Sequence, residues 1–108
     1  MADYRKEFPD FAPETMPALP EGWADTSWRN DQCPSFERIV PGTVIRLFIN
    51  YADVTLREFE DGRRFDAWLD TPDDRRLYSI SSDDLSAVLA WADDVAARSL
   101  EILATETK

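Results

Sequence analysis

The chain has 108 residues, no histidine, one cysteine and a formal net charge of −10. Histidine is the side chain that titrates near neutrality and the commonest metal ligand, so its absence excludes Ser/His and Cys/His dyads and imidazole-bound metals. With three glycines, no CxxC and no P-loop or GxGxxG, a phosphate cradle and a structural zinc site are excluded as well.

In chain order, residues 1–22 hold Pro9, Pro13, Pro17 and Pro20, four of the seven prolines. Proline fixes φ and removes a donor, which argues against a helix or central strand and for an extended arm. The spaced Phe11, Met16 and Leu19 predict that its second half docks on a domain spanning 23–108. The stretch EGWADTSWRNDQCPSF, from Glu21 to Phe36, is turn-rich yet carries Trp23 and Trp28, and reads as an ordered loop pinned by its aromatics. Loops of this kind often carry function.

Ser35 to Val40 reads as a short strand, and Pro41-Gly42 as a turn. Thr43 to Tyr51, TVIRLFINY, is the strongest strand signal: Ile45, Leu47, Ile49 and Tyr51 share one apolar face, while Val44, Arg46, Phe48 and Asn50 share a mixed one. Asp53 to Asp61 fits a loop, an edge strand or a helical turn equally, and Gly62 breaks it. Arg64 to Leu69 alternates as a strand, and Thr71-Pro72-Asp73-Asp74 suits a type I turn into Arg75 to Ile80, completing a hairpin. From Ser81 to about Thr105 the spacing of Leu85, Val88, Leu89, Ala92, Val95, Ala96, Leu100 and Leu103 predicts one helix, with Ser81 and Asp84 as its capping box. The expected fold is α+β: a small antiparallel sheet of three or four strands, one face covered by a C-terminal helix.

Cys33 stands alone, so no intrachain disulfide forms, and with no histidine to activate it the thiol reads as a small buried hydrophobe. Asp66, Asp70, Asp73, Asp74, Asp83 and Asp84 form the densest acidic surface. Borne on turns, they suit solvated charge better than an acid/base pair, which needs one carboxyl buried and its pKa raised. Neither this group nor Glu58, Glu60 and Asp61 has the spacing of a calcium loop. No catalytic residue, metal or cofactor is expected. Ten of the twelve basic residues are Arg, whose planar forks pair with carboxylates, so part of the acidity is neutralised locally. The doublets Arg63-Arg64 and Arg75-Arg76 are flanked by Asp and fit such pairing.

Trp23, Trp28, Arg29, Asn30, Asp31 and Phe36 form the candidate partner-binding constellation, since Trp and Arg are enriched at binding hot spots. The competing reading is that the two Trp rings roof the uncovered sheet face. LPEGWADTSWRNDQCPSF, followed by INYADVTLREF and RFDAW, resembles a group of small proteins carried on plasmids and other mobile elements that share an LPxGWxDxSWxNDxCPSF-like stretch. That resemblance implies accessory-gene biology and brings no catalytic residues with it.

An acidic surface repels nucleic acid and anionic membrane and attracts basic protein faces. The leading expectation is a non-enzymatic module that binds a protein with a basic surface, in its sharper form a nucleic-acid mimic inhibiting a restriction or CRISPR-type complex. A small-ligand binder or enzyme would instead need a closed apolar pocket under the Trp loop with convergent Arg29, Asp31 and Arg46. A homodimer or other homo-oligomer would use Val44, Phe48 and Trp68. No apolar run reaches the about 20 residues of a membrane span, residues 1–10 have no apolar core of a signal peptide, and the expected location is cytoplasmic.

Overall fold

Alternation of branched apolar residues makes Thr43–Ile49 a strand, β3, and the computed structural model, which describes residues 2–59 and 62–106, places it at the centre of the sheet. Ile45, Leu47 and Ile49 are each 0% exposed on one face. Five strands run in sequence order, each antiparallel to the next: β1 (Ala24–Asp25), β2 (Ser35–Val40), β3, β4 (Phe65–Asp70) and β5 (Arg76–Ser82). The sheet therefore has one strand more than the three or four expected, and β1 is the addition. Two residues within turn-rich surroundings carry no strand periodicity, and only pairing with β2 makes them one.

Turn chemistry fixes the register. Pro41 followed by Gly42 at φ +74° suits a type II turn between β2 and β3, pairing Val40 with Thr43. Between β4 and β5, Asp74 closes the turn from Thr71 in the left-handed region at φ +67°, which Asp tolerates better than most residues. The described residues of the loop after β3 contain one 3-10 turn, Val54–Leu56, with Asp53 accepting from the Thr55 N–H at 3.0 Å. Glu60 and Asp61 lie outside the described residues.

The predicted single helix is two. Helix α2 (Leu85–Ala97) begins after Asp84, whose carboxylate caps it by accepting from the Ser86 N–H at 3.0 Å. Ser81 is not part of a capping box, because it belongs to β5 and its hydroxyl bonds the Asp66 carboxylate. The chain bends at Arg98 and continues as α3 (Ser99–Glu106). The bend rotates the apolar stripe: Ser99 and Ile102 point inward while Leu100, expected inside, is exposed. No glycine or proline stands at the bend. Leu103 of α3 packs over the β2–β3 turn, where a Cβ on Gly42 would lie 2.6 Å from Leu103 Cδ1 and the φ of +74° favours glycine.

The N-terminal segment is not simply extended. Asp3 caps one helical turn, α1 (Tyr4–Glu7), ahead of the first proline, and Pro13–Thr15 forms a 3-10 turn. Docking begins earlier than Phe11, since Phe8 is buried beside it. Both rings join Leu47, Ile49, Phe65, Ala67 and Val88 in one core cluster. The Tyr4 N–H donates to Asp25 Oδ2 at 2.8 Å, and the Arg64 guanidinium bonds the Thr15 carbonyl at 2.8 Å and its Nε the Asn50 carbonyl at 2.7 Å. A second cluster of Val40, Ile45, Leu69, Ala92, Val95 and Ile102 lies under the helices. Burying each Leu or Ile contributes about 1.5–3 kcal/mol. Among the described residues no helix is long and apolar enough to cross a membrane.

Candidate functional site

The helices cover one face of the sheet; the other carries the site. Strand register decides which side chains meet there. Arg46 lies opposite Trp68 and Glu37, and Phe48 lies opposite Asp66 and Ser35. The loop after β1 folds over this face and adds Trp28, Asn30 and Asp31. The result is an open groove of about 620 Å³.

Its floor is aromatic. The Phe48 and Trp68 rings sit 4.7 Å apart at 49°, and the Arg76 guanidinium stacks 3.4 Å from the Trp68 centroid. Trp28 stands on the rim, 56% exposed. Four carboxylates, Asp31, Glu37, Glu58 and Asp66, line the groove, with Arg46 as the cation among the lining residues. Arg46 is itself committed to carboxylates. Its terminal nitrogen bonds Asp74 at 2.7 Å, and its Nε lies 3.3 Å from Glu37 and 3.8 Å from Asp70. The Nε contacts are ion pairs without hydrogen-bond alignment. Asp70 is buried between Arg46 and Arg76, which approaches to 3.6 Å.

The partner-binding constellation read from the sequence divides. Trp28, Asn30 and Asp31 line the groove. Trp23 and Phe36 turn to the helix side and pack on the core. Arg29 forms a forked pair with Glu7, at 3.1 Å and 3.3 Å, tying the loop to α1 and holding the Glu7 carboxyl below its ordinary pKa. The six Asp residues of the acidic surface also separate. Asp70 and Asp74 pair with arginines, and Asp83 pairs with Arg63 at 3.0 Å while accepting the Arg64 N–H. Asp84 caps α2, Asp73 accepts from the Thr71 hydroxyl, and Asp66 alone faces the groove. Among the described residues, no three Cys, Asp or Glu side chains converge as a metal site.

The groove is open and polar-walled rather than a closed apolar cavity, and Arg29 is not among its lining residues. Val44, Phe48 and Trp68 do not form one bare apolar patch. Val44 is buried, Phe48 packs on Trp68, and Arg76 covers the Trp68 ring. Arg46, Phe48, Asp66 and Trp68, which fall in separate roles along the sequence, meet here, and Glu37 joins them without a signal of its own. The signal that unites them is alternation, since Glu37, Arg46, Phe48, Asp66 and Trp68 all fall on the strand positions opposite to the core residues.

Cys33 lines the groove yet is buried. Burial pushes its thiol up to about 12, helped by the charges of Asp66 and Asp31. The thiolate is the reactive form, so the native protein is expected to resist iodoacetamide at pH 8 and to react fully once unfolded in urea. Rapid native labelling, read by intact mass, would contradict this placement.

Comparison with known proteins finds no matching family model, no similar curated protein and no similar solved structure. The functional reading therefore rests on the chemistry of this groove.

Proposed function

We propose that the protein is a non-enzymatic binding module whose outer sheet face takes a basic segment of a partner protein. The observation that carries this reading is the groove itself, with four carboxylates around a floor of Phe48 and Trp68 and a rim of Trp28. Lysine and arginine suit such a lining twice over. Their charge meets the carboxylates, three of which, Asp31, Glu58 and Asp66, pair with no arginine among the described residues, and their cations or stems lie against the exposed Trp28 ring as Arg76 lies on Trp68. Nucleic-acid mimicry of a restriction or CRISPR-type complex would need a stripe of free carboxylates. Because Asp70, Asp74 and Asp83 are paired with arginines and Asp84 caps a helix, we place the contact in the groove instead.

Calorimetric titration with an arginine-rich peptide and a glutamate-rich peptide of equal length tests the proposal. The basic peptide is expected to bind and to weaken as salt rises, because screening shortens the reach of charge; the acidic one is expected not to bind. Trp28→Ala should weaken the basic peptide about tenfold, or about 1.4 kcal/mol. With its side chain largely in solvent, the same change should alter stability by no more than about 0.5 kcal/mol. Equal binding of both peptides, or of neither, would sink the proposal.

A further inference from the structure

The rim of the groove has little packing beneath it. Every residue from Trp28 to Gln32 is exposed, between the buried Ser27 and the buried Cys33. Where so few apolar contacts fix the chain, its position depends on hydrogen bonds. Trp28 to Asp31 make a turn, with the Trp28 carbonyl accepting from the Asp31 N–H at 2.9 Å. Trp28, Asn30 and Asp31 line the groove, while Arg29 reaches away from it to α1.

Glu7, the last residue of α1, takes all that Arg29 donates. Its Oε1 accepts from the Arg29 backbone N–H at 3.1 Å and from Nε at 3.3 Å, and its Oε2 accepts from Nη2 at 3.1 Å. Among the described residues, no other hydrogen bond or ion pair joins this turn to the rest of the protein. Glu7 is itself well anchored. Its side chain is 16% exposed, the next residue, Phe8, is in the core, and the Tyr4 N–H at the start of α1 bonds Asp25 at 2.8 Å. Asp25 also accepts the Ser27 N–H at 2.9 Å, so α1 grips the loop on both sides of Trp28.

Taking the groove as the binding surface, on which this role rests, we infer that Glu7 is a positioning residue for it: by clamping Arg29 it holds the Trp28–Asp31 turn over the outer sheet face before a ligand arrives. Neither Glu7 nor Arg29 lines the groove, so neither acts by touching the ligand. Binding that must first order a mobile segment is weakened by that cost, and a turn already in place avoids it. The Arg29 side chain is 70% exposed, and exposed ion pairs add little to global stability, so the clamp acts on the turn and not on the fold.

Calorimetric titration with the arginine-rich peptide tests the role, because charge and positioning predict different signs. Glu7→Ala removes an anion and Arg29→Ala removes a cation, so long-range attraction alone would weaken the first and tighten the second. Positioning weakens both: about fivefold for Glu7→Ala, and about threefold for Arg29→Ala, which keeps its backbone bond to Glu7. The turn is also read without any ligand. Nitrogen-15 relaxation should give order parameters of about 0.85 for the Trp28 to Asp31 amides in the wild type and below about 0.6 in Glu7→Ala, with β3 and α2 unchanged. A wild-type turn already as mobile as that, or an Arg29→Ala protein that binds as tightly as wild type or more so, overturns the proposal and leaves the groove reading standing. A rigid wild-type turn with no binding of the basic peptide overturns the groove reading, and the positioning role falls with it.

Discussion

Leu47→Ala is expected to lower the unfolding free energy by about 3–5 kcal/mol, a large share of what a domain of this size holds in reserve. Leu47 is 0% exposed and sits mid-strand in β3, with β2 and β4 paired on both sides. Its cluster draws on elements far apart in the chain: Phe8 and Phe11 from the N-terminal segment, Phe65 and Ala67 from β4, and Val88 from α2. A cavity bounded by a hydrogen-bonded sheet and a helix cannot collapse easily, which puts the cost toward the upper part of the range for such truncations. Urea unfolding should show a lower midpoint at an unchanged m-value. Ile39→Ala is the matched control. Ile39 is 77% exposed, and the change should stay within about 0.5 kcal/mol. A Leu47→Ala cost near that of the control would mean that the N-terminal aromatics do not close the core.

This core was largely legible in the sequence because strand alternation is local. TVIRLFINY declares its two faces without reference to any other segment, and the observed burial of Ile45, Leu47 and Ile49 follows that division. The bend at Arg98 was not legible. No proline or glycine marks it, and the turn at Gly42 that Leu103 packs over lies more than fifty residues earlier in the chain. The split of the Trp loop is of the same kind. Trp23 and Trp28 are five residues apart and chemically alike, yet the pairing of β1 with β2 sends Trp23 to the core while Trp28 stays on the groove rim. The groove itself required the register between strands. Which residues share a face can be read from one strand, but that Phe48 faces Asp66 and Arg46 faces Trp68 depends on turn lengths and on a loop of fifteen residues between Ile49 and Phe65.

Arg46→Ala should act on stability and on binding with opposite signs. The Asp70 side chain is 3% exposed, and one of its oxygens has no hydrogen-bond partner, so its charge depends on Arg46 and Arg76. Removing one partner of a buried pair leaves charge uncompensated and costs about 3–5 kcal/mol. Arg46 is half-buried and meets Asp70 at 3.8 Å without a hydrogen bond, and Arg76 remains 3.6 Å away, so the expected loss falls below that range, at about 2–3 kcal/mol. Arg46 also braces Asp74 and Glu37, but those exposed or half-exposed pairs are worth no more than about 1 kcal/mol each. A double-mutant cycle separates the two contributions. In an Asp70→Asn background no buried charge is left to strand, and Arg46→Ala should then cost only about 1–2 kcal/mol. Equal costs in both backgrounds would show that the buried carboxylate is not the reason. In the groove the same substitution removes the cation from among four carboxylates. A basic peptide should therefore bind Arg46→Ala more tightly than wild type, by about three- to tenfold at low salt and less as salt rises. Looser binding would mean that Arg46 meets the ligand directly, and would reassign the groove to a partner bearing a carboxylate or phosphate.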